Sequence, residues 1–187
     1  MTHDGTHDSG RPSAQHGKPE IRPADVADAA VIAEIHLASR AGTMPYLPPQ
    51  KRSLEEVTWW VENIVLTEGR AWLAVDGSGE VLGYAALEGD MLEQLYLRPA
   101  ARRRGVGSVL LGEVMRHSPD GLSLHVFQAN TGARAFYERH GFTVLDTNDG
   151  SRNMENLPDM TMRWIPGADT DPETGVGEEL GSAADTR

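Results

Sequence analysis

Short apolar runs separated by turn residues indicate several β-strands along the chain. Residues 71–76 and 81–87 are apolar blocks joined by a Gly-Ser-Gly turn, which is the pattern of a β-hairpin. Another run begins at Met91, directly after Gly89 and Asp90. The same pattern predicts seven strands in all, at residues 21–24, 71–76, 81–87, 91–97, 122–127, 142–145 and 160–164.

Apolar residues at helical spacing, preceded by capping residues, predict four helices. Ser53 and Glu56 have the spacing of a capping box, in which each side chain accepts a hydrogen bond from the other residue's backbone N–H. An earlier helix begins at Asp25 or Asp28. Its apolar face consists of Val31, Ile32, Ile35 and Ala38. The helices are predicted at residues 25–40, 53–67, 106–117 and 130–140. Strands and helices in this order predict an α/β domain with a mixed sheet, in which only the strand–helix–strand passages need be parallel.

The composition is that of one soluble domain between two polar tails. The chain of 187 residues has a net charge of −11 and no cysteine, which excludes disulfides, cysteine-ligated zinc and a thiol nucleophile. Residues 1–19 and 166–187 lack periodicity and are polar or acidic, so we expect disordered tails around a domain at residues 20–165.

Charge and hydropathy also narrow the class of partner. No apolar run is long enough to cross a membrane, so a cytoplasmic protein without a membrane partner is expected. The acidic balance argues against nucleic-acid binding, which needs clustered Lys and Arg. No metal site is predicted, because no His and carboxylate pair has ligand spacing on a regular element.

One basic cluster opposes the acidic background, in a loop that precedes a predicted helix. Arg102, Arg103 and Arg104 are followed by Gly105 and Gly107. Glycines at a helix N-terminus leave backbone N–H groups open to phosphate oxygens, and arginines add charge for a diphosphate or a 3′-phosphate. A P-loop would end in Gly-Lys-Ser or Gly-Lys-Thr, and a Rossmann fingerprint would carry a third small residue. Neither pattern is present.

Two motifs resemble the GNAT N-acetyltransferase superfamily. Arg102, Gly105 and Gly107 match its Arg/Gln-x-x-Gly-x-Gly/Ala loop. Residues 130–142 are similar to the Asn–Ala–Phe-Tyr–Gly-Phe segment that follows the next strand in that family, and element order from 20 to 165 agrees. The resemblance implies a mixed, mostly antiparallel sheet whose two central strands splay apart.

The resemblance also implies acetyl-CoA as acyl donor. The pantetheine arm would lie between the splayed strands and pair with the main chain of Leu95 and Leu97, so satisfying backbone groups that splaying exposes. Amides from Arg103 to Ser108 would hold the pyrophosphate. The donor-binding residues implied are Leu95, Tyr96, Leu97, Arg102, Arg103, Arg104, Gly105, Val106, Gly107, Ser108, Asn130 and Tyr137.

Two residues are candidates for the proton transfers. Tyr137 matches the family tyrosine that donates a proton to the departing CoA sulfur, with core packing as its alternative role. Glu93 is the candidate base, because an aliphatic amine must lose a proton before it attacks. Strand alternation would put Glu93 on the same face as Leu95, and Glu88 and Asp90 are alternative bases.

The acceptor side is expected to involve Tyr46, Trp60, Glu93 and His125, with a structural role as the alternative for His125. The expected function is acetyl transfer to a primary amine of a small molecule. Alternatives are a protein acetyltransferase acting on Lys or an N-terminus, which would have an open groove, and a non-catalytic acyl-CoA sensor. A homodimer is a further expectation from the resemblance.

Overall fold

The computed structural model describes residues 17–167, whose strands form one seven-stranded sheet. The strands are β1 (Glu20–Pro23), β2 (Arg70–Val75), β3 (Val81–Glu88), β4 (Met91–Leu97), β5 (Leu122–Phe127), β6 (Thr143–Asn148) and β7 (Asp159–Trp164). They lie in the order β1-β2-β3-β4-β5-β7-β6, so the last strand inserts between β5 and β6. All seven predicted strands are present, and β6 extends further than predicted.

The helices lie where capping residues predict them. They are α1 (Ala29–Thr43), α2 (Leu54–Trp60), α3 (Leu66–Glu68), α4 (Val106–Arg116) and α5 (Thr131–Arg139). The capping box at the start of α2 is confirmed, because the Ser53 side chain accepts from the Glu56 N–H and the Glu56 carboxylate accepts from the Ser53 N–H. A π-helical turn, Val61–Val65, joins α2 to α3 within the predicted helix.

Helix α1 differs from its prediction in two ways. It continues past Arg40 and through Gly42, because a single glycine costs a helix only about 1 kcal/mol relative to alanine. Its buried face includes Ser39 at 5% exposure, whereas Ala38 is exposed, so the predicted face is wrong at that position. Ser39 lies seven residues after Ile32, and two full turns bring both to the same side.

The sheet is antiparallel except where β4 meets β5. This parallel pair contains only Met91 with Ser123 and Leu92 with Leu124. Beyond these two residue pairs the strands diverge. The mixed sheet with splayed central strands is therefore confirmed.

Apolar side chains cover both faces of the sheet and hold its diverging halves together. On one face, α4 buries Leu110, Leu111 and Val114. On the other, α1 buries Ile32 and Ile35. Each fully buried side chain of this size contributes about 1.5–3 kcal/mol relative to an exposed one.

A β-bulge interrupts β4 beside the point of divergence. Gln94 pairs with Ala86 and Leu92 with Leu87, so Glu93 is the extra residue on β4. A bulge breaks the alternation of side chains along a strand. Leu92 therefore joins Leu95 in the core beneath α4, and alternation along β4 no longer defines the face on which Glu93 lies.

The predicted tails at residues 1–19 and 166–187 fall almost wholly outside the described residues. Within residues 17–167, no helix is both long and apolar enough to cross a membrane.

Replacing Gly83 by alanine should destabilise the sheet. A Cβ at this position of β3 would lie 2.7 Å from the Tyr96 carbonyl oxygen and would collide with the Leu97 side chain. We expect Gly83→Ala to lower the free energy of unfolding by about 1–3 kcal/mol, measured by urea denaturation. The matched control is Gly112→Ala in α4, where no atom lies within 4 Å of the new Cβ, and it should stabilise by about 0.5–1 kcal/mol. Equal midpoints for Gly83→Ala and wild type would contradict this account of strand packing.

Candidate active site

A cleft of about 780 Å³ opens where β4 and β5 diverge. Side chains from α1, α2, β4, β5 and α5 line it, together with the loop of residues 149–158. Arg52, Glu93 and Met154 are exposed at its margin, Met154 by 87%. The cleft is therefore open to solvent and large enough for more than one substrate group.

The edge of β4 that faces β5 has backbone groups without a strand partner. On the other edge, residues 94–97 pair with β3. Toward β5, the described residues offer no ladder partner beyond Leu92 and Leu124. Backbone N–H and C=O groups need hydrogen bonds, so an extended ligand with amide groups fits this gap. The two amides of a pantetheine arm meet that requirement.

The loop before α4 presents cations and free amides. Gly105 precedes α4 with φ of 80°, a left-handed conformation that glycine adopts without strain. Arg102, Arg103 and Arg104 are exposed, and within residues 17–167 none of them forms an ion pair. Unpaired guanidinium groups beside the free N–H groups of a helix N-terminus suit phosphate oxygens. The residues present therefore fit CoA.

Tyr137 lies on α5, is 9% exposed and lines the cleft. Its ring packs against Phe136 and Phe142, with centroid distances of 5.2 Å and 5.5 Å. Burial raises the pKa of the Tyr137 hydroxyl, and Tyr96 acts in the same direction. The phenol is therefore protonated at neutral pH.

Asn130 caps the helix that carries Tyr137. Its Oδ1 atom accepts a hydrogen bond of 3.2 Å from the Ala133 N–H, as the sequence predicts for a capping residue. Asn130 also lines the cleft. One side chain thus fixes the start of α5 and reaches the site.

Glu93 enters the cleft from the bulge in β4. Partial burial of the Glu93 carboxyl raises its pKa, the negative charge of Glu88 raises it further, and His125 lowers it. A carboxylate with a raised pKa is a stronger base than an ordinary one. The bulge therefore places a basic group beside the divergent strands.

An aromatic wall borders one side of the cleft. Trp60 lines it, as predicted, whereas the neighbouring Trp59 is 60% exposed. His36 lies beside Trp60 and Tyr96, with ring centroids 5.4 Å and 4.8 Å away. The wall suits the aliphatic part of an amine substrate.

Two other acceptor-side predictions have different outcomes. His125 lines the cleft, and its Nδ1 atom lies 3.2 Å from Thr161 Oγ1. Tyr46 packs against Phe127, with centroids 5.9 Å apart, and does not itself line the cleft. Met44, two residues earlier in the same segment, takes that place.

Charged residues around the cleft are partly paired. Arg40 on α1 forms an ion pair of 3.2 Å with Glu155 of the 149–158 loop. Within the described part of the chain, Arg52 and Glu93 have no ion-pair partner within 4 Å. The cleft therefore presents an unpaired cation, Arg52, and an unpaired carboxylate, Glu93, to a substrate.

Sequence reasoning missed His36, Arg40 and Arg52. His36 lies four residues after Ile32 on the buried face of α1, and Arg40 follows it by four more. This spacing is the one signal that could have found the first two. Arg52 had no such signal, because it lies in the segment before α2.

Comparison with known proteins places these features in a family. The family model for the acetyltransferase (GNAT) family matches residues 35–142. The chain is 28% identical over 151 residues to the peptidyl-lysine N-acetyltransferase YiaC of Escherichia coli K12, covering 77% of this chain and 95% of that protein. It is 34% identical over 84 residues to the peptidyl-lysine N-acetyltransferase YjaB of Salmonella typhimurium, covering 45% and 57%.

The fold has solved counterparts. The solution structure of apo YjaB from Escherichia coli matches with a TM-score of 0.63 and 24% identity, over 78% of this chain and 97% of that one. The family match covers the divergent strands, the loop before α4 and all of α5. The chain therefore belongs to the GNAT acetyltransferase family and is an N-acetyltransferase that uses acetyl-CoA as donor.

Proposed function

We propose that this enzyme acetylates the side-chain amine of lysine in peptides or proteins. The observation that carries the proposal is the similarity to YiaC, a peptidyl-lysine N-acetyltransferase, over 95% of that protein's length. The exposed margin of the cleft, at Arg52, Glu93 and Met154, supports it, because a lysine on a folded protein needs an open entrance. This replaces the small-molecule amine expected from the sequence as the better supported acceptor.

Donor binding is assigned to the gap beside β4 and to the loop before α4. The main chain at Leu95 and Leu97 would pair with the pantetheine arm. Amides from Arg103 to Ser108 would hold the pyrophosphate, with Arg102, Arg103 and Arg104 adding charge. Acetyl-CoA supplies the thioester carbonyl that the amine attacks, and the chain holds both reactants in one cleft, which lowers the entropic part of the barrier.

Glu93 acts as the general base in this proposal. The lysine arrives as an ammonium ion, and its nitrogen needs a free electron pair before a C–N bond can form. The unpaired Glu93 carboxylate attracts the ammonium and accepts one proton, directly or through a water. Its raised pKa makes that transfer less unfavourable than transfer to an exposed glutamate.

Tyr137 assists departure of the thiolate. As the C–N bond forms and the C–S bond breaks, negative charge collects on sulfur. A phenol has a pKa of about 10 and a thiol of about 8.5, so transfer of the proton to a solvated thiolate is uphill, and burial increases the difference. Tyr137 therefore acts first by donating a hydrogen bond to the developing charge. The proton passes to sulfur while the thiolate is still shielded from water.

Replacing Tyr137 by phenylalanine should separate catalysis from binding. Within residues 17–167 the Tyr137 hydroxyl forms no hydrogen bond, so Phe fits the same volume without leaving a partner unsatisfied. We expect Tyr137→Phe to lower kcat by about 10²-fold or more, measured by release of CoA. The thermal shift produced by CoA should remain close to that of wild type. An unchanged kcat would remove Tyr137 from the reaction.

The pH dependence of kcat should report on Glu93. Because its pKa lies above the ordinary value, wild-type kcat should fall as pH decreases through that raised pKa and should level off above it. Glu93→Gln should lower kcat by about 10²–10⁴-fold and abolish this acidic limb. Glu88→Gln is the matched control, because it removes a charge that raises the Glu93 pKa. The fall of kcat at acidic pH should therefore move to lower pH, while the maximal kcat at higher pH should not change. An acidic limb that survives in Glu93→Gln would assign it to another group.

The acceptor class is tested with a panel of amines at saturating acetyl-CoA. The panel contains an N-terminally blocked peptide with one internal lysine, the same peptide with a free N-terminus and no lysine, and spermidine. We expect the largest kcat/KM for the blocked lysine peptide, with acetyl-lysine identified by mass spectrometry. Turnover of spermidine with neither peptide acetylated would instead support the small-molecule function.

A further inference from the structure

We propose that His36 donates a hydrogen bond from Nε2 to a carbonyl or carboxylate oxygen of the acceptor substrate and is not a general base. The inference deepens the proposed peptidyl-lysine function. Its first part, the position of the proton on His36, is independent of that function, whereas the hydrogen bond to a substrate oxygen rests on it. A peptide presents main-chain carbonyl oxygens near its lysine, whereas a polyamine has no oxygen. His36 would thus help to distinguish the two classes of amine.

The ring of His36 is held by a buried partner. Its Nδ1 atom lies 3.0 Å from the Tyr84 hydroxyl oxygen. Tyr84 is 0% and His36 8% exposed. Trp60 and Tyr96 flank the imidazole, so the ring has little freedom to turn.

The hydrogen bond to Tyr84 decides which imidazole nitrogen carries the proton. Burial raises the pKa of Tyr84, so its hydroxyl is protonated and has one hydrogen to donate. Among residues 17–167, His36 Nδ1 is its hydrogen-bond partner. If Nδ1 carried a proton, the Tyr84 hydrogen would be buried without an acceptor, which is unfavourable. Nδ1 is therefore the acceptor, and Nε2 carries the proton of the neutral ring.

The protonated nitrogen is accessible from the cleft. His36 lines the cleft, and Nε2 has no hydrogen-bond partner within residues 17–167. Burial lowers the pKa of His36 to about 4, and the charges of Arg40 and Arg52 act in the same direction. The ring is thus neutral at pH 7. Its one basic nitrogen is engaged by Tyr84, which leaves no electron pair to accept a proton from the amine.

The charges nearby fit an oxygen-bearing group at this wall. Arg52 has no ion-pair partner among the described residues, and Arg40 is paired with Glu155. An N–H donor beside cations favours a carbonyl or carboxylate oxygen and disfavours a second ammonium. Glu93, an unpaired carboxylate of the same cleft, suits the ammonium of the lysine. A peptide that carries both groups satisfies both sites.

The proton position is measured first, in the full wild-type chain labelled with ¹⁵N. A long-range ¹H–¹⁵N correlation spectrum, with His36 assigned by His36→Gln, should show a protonated Nε2 and an unprotonated Nδ1 at pH 7. Tyr84→Phe removes the donor to Nδ1, and the ¹⁵N shift of Nδ1 should change. A protonated Nδ1 in wild type would overturn the proposal.

Kinetics then separate recognition from base catalysis. The double variant His36→Leu/Tyr84→Phe removes both polar groups together, so no buried hydroxyl is left without a partner. We expect KM for the blocked lysine peptide to rise about threefold to tenfold, the size of one lost hydrogen bond, with kcat within about twofold. KM for an alkylamine without oxygen should not change. His36→Gln, which keeps an N–H near the Nε2 position, should restore most of the affinity for the peptide.

Each other outcome counts against a defined part of the proposal. A fall in kcat of about 10²-fold or more in the double variant, with loss of the acidic limb, would make His36 the base. Active variants with an unchanged KM for the peptide would remove His36 from recognition and leave the peptidyl-lysine function intact. A wild-type enzyme that acetylates only amines without oxygen would overturn the peptidyl-lysine function and, with it, the hydrogen bond from His36 to a substrate oxygen.

Discussion

The divergence of β4 from β5 is the constraint on which the site depends. Two residue pairs join these strands, and their hydrogen bonding stops at Leu92 and Leu124. A sheet that loses pairing at its centre needs another source of cohesion. The apolar cores on both faces, built around Leu110 and Leu111 on one side and Ile32 on the other, provide it. The gap therefore persists as a feature of the fold, and in the proposed function donor and acceptor meet there.

Removal of water shapes the chemistry of this gap in two ways. Burial raises the pKa of both Tyr137 and Glu93. For the phenol, the result is a group that stays protonated. For the carboxyl, which is only partly buried, the result is a stronger base than an ordinary glutamate. In the proposed mechanism, one physical cause thus prepares an acid and a base in the same cleft.

Local sequence signals predicted the helices, the strands and the glycine loop before α4, because those features depend on nearby residues. The capping box at Ser53, the cap at Asn130 and the glycine loop before α4 are all encoded within a few positions. Which side chains line the cleft was harder to predict. The bulge at Glu93 is a matter of register between strands, which alternation along one strand does not reveal. Tyr46 packs against the distant Phe127, and Met44 lines the cleft in its place.

The ion pair between Arg40 and Glu155 joins positions 115 residues apart in the chain. The loop before α4, in contrast, is one continuous stretch. In the proposed function, substitutions in α1 or in residues 149–158 can therefore change the part of the cleft that binds the acceptor, while the loop before α4 keeps its sequence. During evolution, choice of substrate and use of the thioester are free to change independently. A duplicated copy of such a gene could acquire a new acceptor without any change in the residues that bind acetyl-CoA.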